Sequence, residues 1–128
     1  MTSKKPKKQR KERYSAQWQR RHKLLTARLA PELVDKHGIK RIPVVKGDTV
    51  YITRGAFRDS EGDIETVDMK NLRIHIENIQ IEKVDGTAVS LPIHPSNVMI
   101  TKLKIDKMRQ DVIDRIAAAR RELKVKED

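Results

Sequence analysis

The sequence contains no cysteine, which excludes disulfides and thiolate chemistry and removes the commonest ligands of a structural zinc. No stretch approaches the roughly 18 consecutive apolar residues of a membrane-spanning helix. The lysine-rich start lacks the apolar core of a secretory signal. Enzyme motifs are missing too. His22, His37, His75 and His94 are widely spaced and share no HExxH pattern. The loop Arg54-Gly55-Ala56-Phe57-Arg58 lacks the lysine-hydroxyl ending that grips a nucleoside triphosphate, and Ser60, Ser90 and Ser96 stand outside any nucleophile elbow. Asp59, Glu61, Asp63 and Glu65 alternate along an expected strand and read as a solvated face rather than a metal site. These absences describe a chain that is not an enzyme and takes no cofactor and no metal.

What is abundant is positive charge. The 128 residues carry a formal net charge of +11, which calls for a polyanionic partner: nucleic acid first, an anionic membrane surface second. The charge is unevenly placed. Residues 1–41 hold 14 Lys+Arg against 3 Asp+Glu, whereas residues 42–128 hold 15 of each. The whole excess lies in the first third, so the expected organisation is a basic arm with short helices (1–41), a near-neutral β body (42–101), and a C-terminal helix and tail (102–128).

Met1 to Arg13 has almost nothing apolar and is expected to order only against phosphates, with Lys4, Lys5, Lys7, Lys8, Arg10, Lys11 and Arg13 as contacts. Ser15 to Ala30 reads as a helix in which Trp18, Leu25 and Leu29 form a narrow apolar seam among Arg20, Arg21, His22, Lys23 and Arg28. Trp18 has two readings, an anchor docking this helix on the body or a stacking platform for a base; docking is the favoured one. Pro31 to Gly38 reads as a short helix started by proline and stopped by glycine.

The body is organised around the stretch from Val44 to Ile64. Gly47-Asp48 is turn chemistry, and Val50 and Ile52 alternate with Thr49, Tyr51 and Thr53 as a half-buried strand. A polar loop bracketed by Gly55 and Gly62 follows, and a strand then continues through Met69. Leu72, Ile74 and Ile76 alternate inward, but the phase flips at Glu77-Asn78, which implies a bulge. Asp85-Gly86 marks a hairpin, Pro92 to Asn97 a rigid loop, and Val98 to Thr101 a last strand. Five or six short strands without an intervening helix imply a mainly β fold, a small antiparallel barrel. A body of this size is marginal alone, so flanking elements or a ligand should add stability. From Asp106 a helix is expected, with Met108, Val112, Ile116, Ala119 and Leu123 as its apolar stripe and Arg109, Arg115, Arg120 and Arg121 opposite.

The run Lys46-Gly47-Asp48-Thr49-Val50 through Gly62-Asp63-Ile64 resembles the KOW motif of ribosomal proteins and transcription elongation factors. The flanks, His22 to Leu29 and Pro92-Ile93-His94-Pro95-Ser96-Asn97-Val98-Met99-Ile100, are similar to the archaeal and eukaryotic form of the large-subunit ribosomal protein L-twenty-four family, with a short tail of archaeal type. Arg54, Gly55, Phe57, Arg58 and Gly62 match that family. Asp59 stands where it commonly has glycine, and Ala56, Ser60 and Asp63 where it often has a basic or small residue, so this loop is less cationic than usual for the family. The resemblance implies an SH3-like barrel, direct binding to 23S rRNA near its 5′ end in its first domain, a role early in large-subunit assembly, and a cytoplasmic location within the subunit, beside other ribosomal proteins and the polypeptide exit tunnel. On this reading the arm neutralises phosphates. Arg54, Gly55 and Arg58 meet RNA through one loop, while Phe57 either stacks on a base or plugs the barrel end. His94, Ser96 and Asn97 either touch RNA backbone or form a structural corner, and Lys102 and Lys104 are peripheral contacts. Two rivals are a transcription elongation module with the same loop and a nuclease using the acidic strand.

Overall fold

The computed structural model describes residues 3–127. Seven strands form one sheet in the order β2-β1-β7-β3-β4-β5-β6. They are β1 (Thr26–Leu29), β2 (Arg41–Pro43), β3 (Thr49–Ile52), β4 (Glu61–Asp68), β5 (Arg73–Glu82), β6 (Ala88–Ile93) and β7 (Val98–Lys102). Four helices accompany them: α1 (Pro6–Tyr14), α2 (Trp18–Leu24), α3 (Pro31–His37) and α4 (Lys107–Glu127). The fold is therefore mixed α/β rather than mainly β. No described helix is long and apolar enough to cross a membrane.

The expected closed, antiparallel barrel requires correction on two points. β2 and β6 end the strand order and do not pair with each other, and β1 runs parallel to β7, with Arg28 opposite Met99. The physical reason for the first lies in the strands themselves. β2 has three residues, and β5 bends between His75 and Gln80, where the register with β6 shifts and Asn78 adopts φ 65°. That bend is the bulge expected at Glu77-Asn78. Beyond it the far half of the β5–β6 hairpin stands in solvent. The hairpin turn at Asp85-Gly86 is as expected, closed by Lys83 N–H to the Thr87 carbonyl at 2.8 Å.

The helix expected over Ser15 to Ala30 is also corrected. It ends at Leu24, and the chain continues as β1. Trp18, Leu25 and Leu29 mimic a helical seam, but Leu25, Ala27 and Leu29 also alternate, and all three are buried while Arg28 between them is exposed. Period two prevails because β1 finds two partners, β2 and β7. Trp18 is 60% exposed and anchors nothing. Lys4 to Arg13, expected to lack structure alone, forms most of α1: Pro6 opens the helix, and its Lys, Arg, Gln and Glu residues have high helix propensity. Met1 and Thr2, which begin the expected basic stretch Met1 to Arg13, and Asp128 of the expected tail lie outside the described residues.

The core is one cluster. Val50, Ile52, Ile64, Ile74, Ile76, Val98 and Ile100 line the inner face of the sheet, as the alternation in β3 and β5 predicts, and Leu25, Ala27, Ile42, Ile113 and Ala117 extend it. The flanking segments thus complete a body too small to stabilise itself. On α4 the expected apolar stripe holds in part: Ile116 packs against the core and Val112 is half-buried, but Met108 and Leu123 are exposed, and the buried residues are Arg109, Ile113 and Ala117. The helix is rotated by about one residue because Arg109, expected on the solvent face, points inward to Asp48.

Asp48 is fully buried and Arg109 is 8% exposed. Arg109 Nη1 donates to Asp48 Oδ1, and Nη2 donates to Oδ2 at 2.7 Å. The same guanidinium donates to the carbonyls of Lys104 (3.0 Å) and Pro43 (3.2 Å). The carboxylate also accepts backbone N–H groups from Lys104 (2.9 Å) and Val45 (3.2 Å). Removing either side chain strands the other's charge in the interior, so Asp48→Ala or Arg109→Ala is expected to lower the unfolding free energy by about 3–5 kcal/mol, measured by urea denaturation; a loss below about 1 kcal/mol contradicts this assignment.

Candidate nucleic-acid interface

Arg21 sets the position of the arm. Its guanidinium donates to the carbonyls of Tyr14 (2.7 Å), Ala16 (2.9 Å), Met69 (3.3 Å) and Lys70 (2.6 Å), tying the α1–α2 corner to the β4–β5 turn. Arg20 crosses between the helices to Glu12 Oε1 at 2.8 Å. Lys4, Lys5, Lys7, Lys8, Arg10, Lys11 and Arg13 remain exposed along α1 and its approach, as do His22 and Lys23 on α2 and Arg28 on β1.

Arg13 reaches the turn that precedes β7, with Nη2 3.1 Å from His94 Nε2. His94 Nδ1 lies 2.8 Å from Ser96 Oγ and 3.2 Å from its backbone nitrogen, capping the 3-10 turn Pro95–Asn97. A neutral imidazole accepts at one nitrogen only. Only the tautomer with Nε2 unprotonated accepts from Arg13 and holds α1 against the turn, and in it Nδ1–H donates to Ser96 Oγ; in the other tautomer Nδ1 accepts from Ser96 and Nε2–H meets the guanidinium donor to donor.

The turn is in its turn fastened to the glycine-bracketed loop. The Asn97 carbonyl accepts both the backbone N–H (2.9 Å) and the hydroxyl (3.0 Å) of Thr53. Beyond Thr53, Gly55 takes φ 104° and Asp59 φ 71°, left-handed conformations that fold the loop back so that Asp59 N–H donates to the Ile52 carbonyl at 2.9 Å. Arg54 and Arg58 are exposed at its tip. Phe57 is half-buried against the core cluster, the plug of its two readings. Tyr51 donates its hydroxyl to Asp59, and this hydrogen bond is the chief cause raising the tyrosine pKa above its ordinary value.

Two of the acidic residues of β4 are taken up by hydroxyls: Thr49 Oγ1 donates to Asp63 at 2.6 Å and Thr101 Oγ1 to Glu61 at 2.7 Å. Among the described residues no group of three or more His, Asp or Glu side chains could hold a metal.

The arm, the His94–Asn97 turn and the 54–60 loop therefore form one continuous surface. Lys102 and Lys104 do not join it. They lie at the other end of the β3–β7 pair, where Thr49 faces Lys102 and the Lys104 stem runs across Gly47. Sequence reasoning missed Lys70 and Arg73. Together with Arg10, Arg13, Tyr14 and Arg21 they line a groove of about 530 Å³ between α1 and the β4–β5 turn. Pairing of β5 with β6 places Ile74 opposite Ile93, so this groove abuts His94. The alternation that put Arg73 on the outer face was the available signal.

The model of the family described as "Ribosomal proteins L26 eukaryotic, L24P archaeal" matches residues 3–116. The large ribosomal subunit protein uL24 of Methanoculleus marisnigri is 47% identical over 112 residues, covering 87% of this chain and 93% of the relative. The protein of the same description from Korarchaeum cryptofilum is 46% identical over 114 residues, 88% and 87% of the two chains.

Burial, then the nearby Arg73 and Arg13, lower the His94 pKa from its ordinary value. Because the folded value is depressed, the associated stability is present above the unfolded pKa of about 6.5 and is lost as pH falls through the folded value. An NMR titration should place the His94 midpoint below about 6.5 and move it upward in Arg73→Gln. A midpoint at or above the ordinary value contradicts the packing of α1 on this turn.

Proposed function

The chain belongs to the family of ribosomal proteins L26 of eukaryotes and L24P of archaea, and from that premise we propose that it is a structural constituent of the large ribosomal subunit, in the cytoplasm, that binds ribosomal RNA directly through the surface joining α1, the His94–Asn97 turn and the 54–60 loop. The convergence of these three segments, far apart in sequence and linked through Arg13–His94 and Asn97–Thr53, supports the reading. No catalytic step is involved: the work of such a surface is positional.

The roles divide by chemistry. Lys4, Lys5, Lys7, Lys8, Arg10, Lys11, Arg13 and Lys23 supply sequence-independent attraction to phosphates and release of their counterions. Arg54 and Arg58 add a smaller, shaped contact, and Gly55 lets the backbone approach the RNA closely. Ser96 and Asn97 present a rigid corner. Trp18, exposed rather than docked, is free to stack on a base. Arg20, His22 and Arg28 border this surface, whereas Lys102 and Lys104 serve a distal contact. Phe57 supports the loop from below.

The finer placement follows the family resemblance: the first domain of 23S rRNA near its 5′ end, an early step of assembly, and a seat near the exit of the nascent-peptide tunnel beside other large-subunit proteins. In the same terms, the curled sheet around β3, β4 and β7 is the SH3-like KOW unit, completed by β1 and β2 on one side and the β5–β6 hairpin on the other. The relatives are ribosomal proteins, and no observation favours the transcription elongation module.

Binding of the full chain to large-subunit rRNA should weaken steeply with salt. Replacing Lys4, Lys5, Lys7 and Lys8 with glutamine removes four phosphate contacts, so the slope of log K against log salt should become shallower by about 3, read by filter binding across a salt series. An unchanged slope and affinity would sink the assignment of the arm.

A further inference from the structure

We propose that the groove between α1 and the β4–β5 turn seats an unpaired stretch of RNA, with its phosphates on Arg10, Arg13, Lys70 and Arg73 and its bases on Tyr14 and Trp18. The proposal rests on the ribosomal-RNA reading above and adds the kind of RNA the surface takes.

Charge comes first. The groove gathers cations from α1 and from the near-neutral body, and none of the described residues lining it is acidic. Asp68, at the base of the turn, is held within it: its carboxylate accepts the backbone N–H groups of Lys70 (3.0 Å) and Asn71 (3.2 Å) and the Asn71 amide (2.9 Å). Asp68 thus shapes the turn that carries Lys70 and Arg73.

Aromatic rings are the second observation. Tyr14 is 79% exposed and Trp18 60% exposed. Tyr14 lines the groove, and Trp18 lines an adjoining hollow of about 300 Å³ that shares Arg21 and Lys70 with it. The chain has only 1 Trp, 2 Tyr and 1 Phe, and two of these rings stand in water beside one cationic track. Large rings left outside the core, next to cations spaced along a groove, suit a single strand, whose bases offer free faces. A duplex keeps its bases stacked inside and presents mainly phosphates and sugar edges. The third observation is rigidity. Arg21 bonds to carbonyls on both walls, Tyr14 and Ala16 on one side and Met69 and Lys70 on the other, so the groove exists before RNA arrives and little ordering is required on binding.

The chain has one tryptophan, so its intrinsic fluorescence reports on Trp18. The full chain should be titrated with a short oligouridylate and with an RNA duplex of the same nucleotide count. The single strand should quench Trp18 and bind at least about tenfold tighter than the duplex. The double variant Arg10→Ala, Lys70→Ala should lose affinity for the single strand by about tenfold, with a salt slope shallower by about 1.4. Tyr14→Ala should weaken binding about fivefold or more. All of these side chains are exposed, and unchanged thermal melts verify that the variants fold. Unaltered Trp18 emission at saturation, equal affinity for duplex, or an unaffected double variant would overturn the proposal. A parallel titration with large-subunit rRNA separates the two levels: binding of that RNA without quenching by the single strand defeats the groove alone, and no binding of it defeats the ribosomal reading.

Discussion

The buried ion pair between Asp48 and Arg109 holds together parts of the chain that have no other reason to meet. Asp48 ends the turn that launches β3, and its own carbonyl accepts the Ile64 N–H at 2.8 Å, so it is stitched into β4 as well. Arg109 lies in the first turn of α4, started by Asp106, whose carboxylate accepts the Arg109 N–H at 2.7 Å. With two of its five donors on Asp48, Arg109 uses two more to grip the end of β2 at Pro43 and the link after β7 at Lys104. Desolvating two charges is costly, and the cost is offset here because nearly every lone pair and proton has a partner. The pair sets the rotation of α4, which brings Ile113 and Ala117 onto the core and lets Arg120 donate to the Gly38 carbonyl at 3.0 Å, behind α3.

At the opposite end of the β3–β7 pair the contacts are of another kind. Arg13 on His94, Arg21 on the turn carbonyls and Asn97 on Thr53 are polar and partly exposed. They position a charged surface without burying it, and the cations beyond them have few acidic neighbours to pair with. One end of the sheet is thus closed by a satisfied ion pair inside the protein. The other is left electrostatically unsatisfied, which is the condition under which a polyanion is attracted.

Local signals were legible where they acted locally. The alternation of Val50 with Ile52, and of Leu72, Ile74 and Ile76, gave the inner face of the sheet; the phase flip at Glu77-Asn78 gave the bend; Asp85-Gly86 and Gly38 gave their turn and cap. Failures came where distant residues decide. Leu25, Ala27 and Leu29 fit a helix by one spacing and a strand by another, and only the partners β2 and β7 select the strand. Arg109 looked like a surface charge because its partner is 61 residues away. Of the interface, the arm and loop were visible as charge and glycine. The groove was hidden, because Lys70 and Arg73 belong to a segment whose net charge is zero and join Arg10 and Arg13 only in the folded chain.

The parallel pairing of β1 with β7 has a consequence in time. Arg28 and Leu29 emerge from a synthesising ribosome some 70 residues before Met99 and Ile100, their partners. Until those residues arrive β1 has only β2 beside it, and closing so long a loop is slow compared with forming a helix or a hairpin. The cationic first third of the chain is therefore made early and secured late. During that interval it is the part of the molecule freest to search, and the last strand to be translated sets where the search ends.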